Sequence, residues 1–230
     1  MEKRDLAILR HVGLYRITLR PVLEHVIFEG RSCGAVLHRL RSEGLLQAGK
    51  FPRNVSYYQL TPKAAALLAL PVSRATPFGA QALHTHLGIL WFCCMGEARR
   101  YRLEPDRLAR LFPKQTPLGD HCIDEEKKDK PRIYRLYAPD AHAAMRNVIR
   151  EIRGNFHQST AIGELDKWVE GQRYAFAILV ETPERRAALK AALKATYEGE
   201  RPLSGQAYFR VEVVPGLTTI GGTFRKGEGA

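Results

Sequence analysis

The sequence predicts an α+β protein in which a winged helix-turn-helix over residues 1–70 precedes an α/β domain. Two observations lead to this prediction. The first seventy residues alternate helical and strand-like patterns in the order helix, helix, helix, strand, turn, strand, helix. Further along, a strand, a helix and another strand follow one another over 174–214, which is typical of a parallel crossover.

The first three predicted helices have apolar residues at helical spacing. Leu9 and Val12 lie on the buried stripe of the first helix. Gly30 and Gly44 follow the second and third helices, where glycine adopts the left-handed backbone that closes a helix. Ser32 is the N-cap candidate of the third helix. The predicted ranges are 2–15, 19–28 and 33–43.

A hairpin and a fourth helix follow. Extended segments flank a polar turn at 50–54, and the second of them is the aromatic run 56–60. Thr61 and Pro62 predict a helix start, because threonine caps a helix and proline tolerates its first turn. The helix is expected over 62–70. This order of elements is that of a winged helix-turn-helix.

The third helix and the hairpin carry the side chains that are expected to contact double-stranded DNA. Small residues at the start of the helix let it enter the major groove, where His38, Arg39 and their neighbours are expected to read bases. Phosphate contacts are expected from Arg31, Arg41, Lys50 and Arg53. The full predicted set is Arg31, Ser32, Gly34, Ala35, His38, Arg39, Arg41, Ser42, Lys50, Arg53 and Asn54.

Two other interpretations of this region are open. Arginines on an exposed helix can serve only to keep that face solvated. A winged helix can also mediate contacts with another protein instead of with DNA.

Positive charge is concentrated in the same region. The chain has 36 Lys and Arg against 24 Asp and Glu, a net charge of +12. Residues 1–71 hold 11 basic and 5 acidic side chains, and the other 159 residues hold 25 and 19. The charges are spread over several short elements, unlike the single amphipathic helix of a membrane-surface protein. The predicted partner is therefore nucleic acid, and no membrane is expected.

Neither a membrane span nor an export signal is expected. The most apolar run, 87–95, is about half of the ~18 residues that a span needs. The start, MEKRDLAIL, lacks the apolar core of a signal peptide. Cys33, Cys93, Cys94 and Cys122 are interpreted as reduced thiols. The expected location is the cytoplasm, in association with the nucleoid.

The second half is expected to follow a linker. Residues 71–79 are rich in turn formers. An α/β domain is predicted over 80–220, where it supplies dimer contacts, further DNA contacts or an effector pocket. Its first helix, 81–96, either pairs two protomers or packs within the domain. The glycine-rich segment 221–230 is predicted to be a flexible tail.

Two further patterns lie within this half. The segment HCIDEEKKDKP (121–131) predicts a hairpin or a disordered loop, followed by a strand over 132–137. A helix is predicted over 140–156, and its outer face is either a second phosphate-contacting stripe or a solvated surface. The basic residues of that face are Arg146, Arg150 and Arg153.

No catalytic or metal site is predicted. Metal-dependent nucleases hold Mg²⁺ with carboxylates and position the attacking water with a lysine from an acidic-x-Lys strand. Glu126 and Lys128 have the acidic-x-Lys spacing, but the order of the elements along the chain is wrong for such a site. Asp140 and Glu181 are better interpreted as strand-end carboxylates. The histidines of 84–86 lack metal-site spacing. The prediction is therefore no catalytic residue, no metal and no cofactor.

Three segments resemble the replication-relaxation family of bacterial plasmids, conjugative elements and phages. They are RDLAILRHVGLYR (4–16), HRLRSEGLL (38–46) and YYQLTPKAAALL (57–68). The resemblance extends loosely through APDA (138–141), AILVET (177–182) and the helix with Lys190 and Lys194. It implies a DNA-binding role in the replication, transfer or regulation of a mobile element. It also implies a second domain similar to a nuclease fold that is often catalytically degenerate.

The predicted function is that of a sequence-specific, double-stranded DNA-binding transcriptional regulator of a bacterial mobile element, not an enzyme. It is expected to act as a homodimer, with half-sites about one helical turn apart. Two alternatives are a plasmid replication initiator or relaxation protein, and a metal-dependent nuclease that uses the second domain.

Overall fold

The computed structural model describes residues 2–96, 98–124 and 131–225. The chain forms two compact units, the first made of Met1–Met95 with Pro215–Ala230 and the second of Gly96–Val214. Helices and a mixed sheet are both present, so the predicted α+β class is confirmed.

The helices and strands are numbered in chain order. The helices are α1 (Lys3–Tyr15), α2 (Arg20–Val26), α3 (Gly34–Ser42), α4 (Pro62–Leu67), α5 (Ala80–Cys94), α6 (Pro105–Leu111), α7 (Met145–Thr160), α8 (Gly163–Glu170), α9 (Pro183–Ala195) and α10 (Ile220–Arg225). The strands are β1 (Leu46–Lys50), β2 (Ser56–Leu60), β3 (Arg100–Leu103), β4 (Asp120–Asp124), β5 (Arg132–Tyr137), β6 (Tyr174–Val180), β7 (Tyr197–Glu198), β8 (Arg201–Pro202) and β9 (Phe209–Val213).

In the first unit, α1, α2 and α3 share one apolar core with the hairpin of β1 and β2. Leu9, Leu23 and Leu40 are fully buried in this core. The hairpin strands are antiparallel. Thr18, which precedes α2, forms an isolated bridge with Tyr58 of β2, with N–H to O distances of 3.0 and 2.9 Å. The backbone between α1 and α2 therefore adds to the hairpin and holds it against the helices.

The predicted helix ends of this unit rest on local backbone chemistry. Gly44 has a φ of +68°, and Leu45 N–H donates to the Leu40 carbonyl at 2.9 Å, which closes α3. At the start of α4, the Thr61 Oγ1 accepts from Ala64 N–H at 3.3 Å, and Pro62 occupies the first turn. These two predictions are confirmed.

The second unit contains a five-stranded sheet of order β3-β4-β5-β6-β9. β3, β4 and β5 are antiparallel neighbours, whereas β5, β6 and β9 run parallel. The predicted strand–helix–strand crossover is confirmed as β6, α9 and β9. Side chains from α6, α7, α8 and α9 share one buried core with the sheet.

The boundary between the units differs from the predicted linker at 71–79. Arg16 donates to the Ser73 carbonyl at 2.7 Å, and Arg74 donates to the Gly13 carbonyl at 3.3 Å. These bonds attach the segment to α1, so the first unit continues through α5 and ends at Met95.

The segment predicted as a flexible tail is helical over its described part, in α10. The ring of Phe224 packs against Trp91 with centroids 5.7 Å apart, and Ile220 is fully buried. These apolar contacts order a segment whose glycines suggested flexibility. Residues 226–230 lie outside the described part, as do 125–130 of the predicted loop. The strands that flank that loop, β4 and β5, pair as a hairpin.

Candidate nucleic-acid interface

Helix α3 exposes one face and buries the other. Leu37 and Leu40 point into the core of the first unit. Ala35, His38 and Ser42, at spacings of three and four residues, lie on the solvent side together with Arg41. Gly34 is half-buried at the first turn. The predicted groove-entering residues thus share one exposed face, which we call the α3 stripe: Gly34, Ala35, His38, Arg41 and Ser42.

The start of α3 is held by two residues of α2. The Glu24 carboxylate accepts from Cys33 N–H at 3.2 Å, and Arg20 pairs with Glu24 at 2.7 Å. Arg20 also donates to the Ser32 Oγ at 3.1 Å. Cys33, not Ser32, occupies the N-cap position, although the Ser32 Oγ still accepts from Gly34 N–H at 3.4 Å. The sequence prediction missed Arg20, whose signal was the i, i+4 pairing with Glu24.

Arg39 connects α3 to α1. Its guanidinium donates two hydrogen bonds to the fully buried carboxylate of Asp5, at 2.6 and 3.0 Å. Glu2 N–H donates to the same carboxylate at 2.9 Å. The hydrogen bonds from Arg39 lower the pKa of Asp5, although burial opposes that shift. Arg39 was expected to read bases, but these contacts favour a structural role.

The other basic side chains near α3 are less constrained. The side chains of Arg41 and His38 form no ion pair or hydrogen bond with the part of the chain that the structure describes. Arg31 donates to the Phe28 carbonyl at 3.2 Å and lies 3.5 Å from Glu29, and both charged side chains of that pair are highly exposed. An exposed pair of this kind contributes little to stability and can exchange for another anion.

The hairpin tip has an unusual backbone. Arg53 and Asn54 have φ values of +63° and +64°, and Phe51 N–H donates to the Val55 carbonyl at 2.8 Å. Two consecutive left-handed residues match the twist of a hairpin, but glycine and asparagine adopt them far more easily than arginine does. Lys50, Arg53 and Asn54 are all exposed there, and Lys50 donates to the Asn54 side chain at 3.4 Å.

Helix α10 lies beside the hairpin tip. A Cβ at Gly221 would lie 3.1 Å from the Val55 Cγ2 and 3.9 Å from the Arg53 Cβ. The absence of a side chain at Gly221 therefore permits this close approach. The sequence prediction missed this support, whose signal was the apolar pair Ile220 and Phe224 at i, i+4 within the glycine-rich segment.

Two carboxylates follow neighbouring parallel strands in the second unit. Asp140 comes after β5 and Glu181 directly after β6, at the same edge of the sheet. The Asp140 Oδ1 accepts from His142 N–H at 2.7 Å. Among the described residues, no three His, Cys, Asp or Glu side chains converge as metal ligands. Residues 126–128, which contain the Glu-x-Lys pair, lie outside the described part.

The four cysteines are all buried, and none of them forms a disulfide within the described residues. Burial raises the pKa of Cys33 to about 11, with a further contribution from Glu24. Cys33 is therefore a protonated thiol at neutral pH and contributes packing rather than a nucleophile.

Comparison with known proteins adds no further evidence on identity. Within the described ranges, no helix combines the length and the hydropathy that crossing a membrane requires. The resemblance to the replication-relaxation family stays a prediction. No family model, curated protein or solved structure matches the chain.

Proposed function

We propose that the first unit binds double-stranded DNA as a winged helix-turn-helix, with α3 in the major groove and the hairpin tip on the backbone. The observation that carries the proposal is the α3 stripe. It presents His38 and Arg41 without an intramolecular partner in the described chain, beside the small residues Gly34 and Ala35.

The distribution of acids argues against a merely solvated face. In the described part of this unit, Asp5 and Glu43 pair with Arg39, Glu24 with Arg20, and Glu29 with Arg31. Neither Arg41 nor Arg53 has an acidic partner among those residues. These acidic side chains are thus neutralised by other arginines, and exposed cations remain at α3 and the hairpin tip, as they do on α1 at Lys3 and Arg10. That arrangement suits a polyanionic partner.

The roles differ in one respect from the sequence prediction. Arg31, Arg41, Lys50 and Arg53 contact phosphates, and His38 faces base edges from the middle of the stripe. Arg39 holds α3 on α1. Four phosphate contacts give a slope of about −3.6 in log affinity against log salt, which is roughly a 150-fold loss between 50 and 200 mM.

We extend the proposal to sequence-specific regulation by a homodimer, as the resemblance to mobile-element proteins implies. Most residues of α5 are buried within the single chain, so this helix offers little free surface for pairing protomers. A dimer therefore uses another surface. Two half-sites about one helical turn apart in the bound DNA would reveal that the protein binds as a dimer.

Selection of duplexes from a randomised library by the purified full chain tests the proposal. We expect an enriched motif that resists random competitor DNA. If duplexes bind without any enriched motif, the protein is a non-specific DNA binder. If no duplex is retained, the proposal is refuted. A footprint over repeats at a replication origin, instead of at a promoter, would favour the initiator alternative.

A further inference from the structure

Helices α7 and α9 of the second unit carry exposed cations that the proposed DNA interface does not use. On α9 these are Arg186, Lys190 and Lys194, and on α7 they are Arg146 and Arg150. None of the five side chains forms an ion pair or hydrogen bond within the described residues. Arg153, which the sequence placed on the same stripe, is instead bound to Glu198.

Charge in the second unit is segregated onto these two helices. Together they contain 7 basic and 2 acidic residues, whereas the rest of 96–214 contains 15 basic and 16 acidic residues. The remainder of the unit is therefore close to neutral. Solvation alone does not require one sign of charge to collect on two helices, since mixed charges solvate a surface equally well.

The α9 cations form a regular row. They recur every four residues, a rise of about 6 Å per step along the helix. Leu189 and Leu193, three residues after Arg186 and Lys190, hold the adjoining side of α9 in the core. The exposed residues beside the cations are alanines, such as Ala187 and Ala191, and they provide no bulky apolar side chain for insertion into a lipid interface.

We propose that these five cations of α7 and α9, which we call the α7/α9 face, form a second nucleic-acid-binding surface that contacts the phosphodiester backbone without reading sequence. A row of unpaired cations with small side chains between them fits a linear polyanion, which the charged backbone of a duplex provides. The inference rests on the proposed function only for the choice of DNA as partner, because none of its residues belongs to the first unit.

The test compares two double variants of the full chain. Lys190→Gln with Lys194→Gln removes two cations from α9. Arg110→Gln with Lys167→Gln is the matched control, because it removes two exposed cations from α6 and α8 of the same unit. Binding to a random-sequence duplex several helical turns long is measured from about 50 to 200 mM salt.

We expect the α9 variant to reduce the salt slope by about 1.8, so that wild type loses roughly 12-fold more affinity over that range than the variant does. The control variant should retain the wild-type slope. Equal slopes for the two variants would overturn the inference. So would an α9 variant that loses binding only to phosphatidylserine vesicles, because that outcome identifies a lipid surface.

The same assay separates this inference from the proposed function. If the double variant Arg41→Ala with Arg53→Ala loses DNA binding while the α9 variant matches its control, the inference fails and the proposed function stands. If the α9 variant alone loses binding, the second surface stands and the first-unit interface fails.

Discussion

Replacing Asp5 with asparagine tests whether Arg39 is a structural residue. The carboxylate accepts two hydrogen bonds from Arg39 and one from the Glu2 backbone, and it is fully buried. An amide keeps one acceptor oxygen, loses the charge and directs an N–H₂ group at the guanidinium. A hydrogen bond to a charged group contributes about 1.5 to 3 kcal/mol. Because the Arg39 side chain is partly exposed to water, which screens the pair, we expect a loss of about 1.5 to 2 kcal/mol.

Glu43→Gln is the control for this variant. Glu43 is the other acidic partner of Arg39, but it is exposed and lies 3.4 Å away. An exposed pair of this geometry contributes little, so the control should unfold at the same urea concentration as wild type.

Urea unfolding of the full chain measures both variants. The chain has two tryptophans, Trp91 in the first unit and Trp168 in the second. A Trp168→Phe background therefore lets fluorescence follow the first unit alone, which avoids treating two units as one transition. Equal midpoints for Asp5→Asn and Glu43→Gln would refute the structural role of Arg39 and return it to the set of DNA-reading candidates.

Three further predictions follow from the same contacts. Because Arg39 lowers the pKa of Asp5, the ionised carboxylate stabilises the fold fully above the unfolded pKa of about 3.9. The difference in free energy of unfolding between wild type and Asp5→Asn, measured by urea titration, should therefore shrink as the pH falls below that value. Arg53→Gly should raise the free energy of unfolding of the first unit by about 1 kcal/mol, because glycine accepts the left-handed backbone. It should also lower the slope of log DNA affinity against log salt by about 0.9, because one cation is lost. A destabilised variant would contradict the backbone argument. Gly221→Leu should displace α10 from Val55 and change the fluorescence of Trp91, which packs against Phe224; an unchanged spectrum would mean that α10 tolerates the side chain.

The sequence predicts local chemistry well in this protein. The end of α3 at Gly44 is predictable because it depends on the backbone conformation of that glycine. The start of α4 at Thr61 and Pro62 is predictable for a similar reason. Helical periodicity likewise predicts which face of α3 is exposed, since Leu37 and Leu40 require burial. These features depend on neighbours a few residues away.

Features that depend on distant partners were not predictable. Arg39 lies on the flank of α3, and its partner Asp5 is 34 residues earlier, so periodicity alone does not distinguish an ion pair from a base contact. The segment 71–79 has the composition of a linker, but its Ser73 carbonyl accepts from Arg16 and its Arg74 donates to the Gly13 carbonyl, contacts that the pattern does not reveal. The composition of the α10 segment predicts flexibility, because the sequence does not show that Phe224 packs against Trp91.

The most direct test of the DNA-binding account is the affinity of Arg41→Ala for the selected duplex, measured between about 50 and 200 mM salt beside Arg110→Ala. Arg41 lies on the exposed α3 stripe, and Arg110 is an exposed arginine of the second unit outside both proposed surfaces. The account predicts that Arg41→Ala weakens binding and lowers the salt slope by about 0.9 without a change in urea midpoint, while Arg110→Ala matches wild type. Identical binding by the two variants would contradict it.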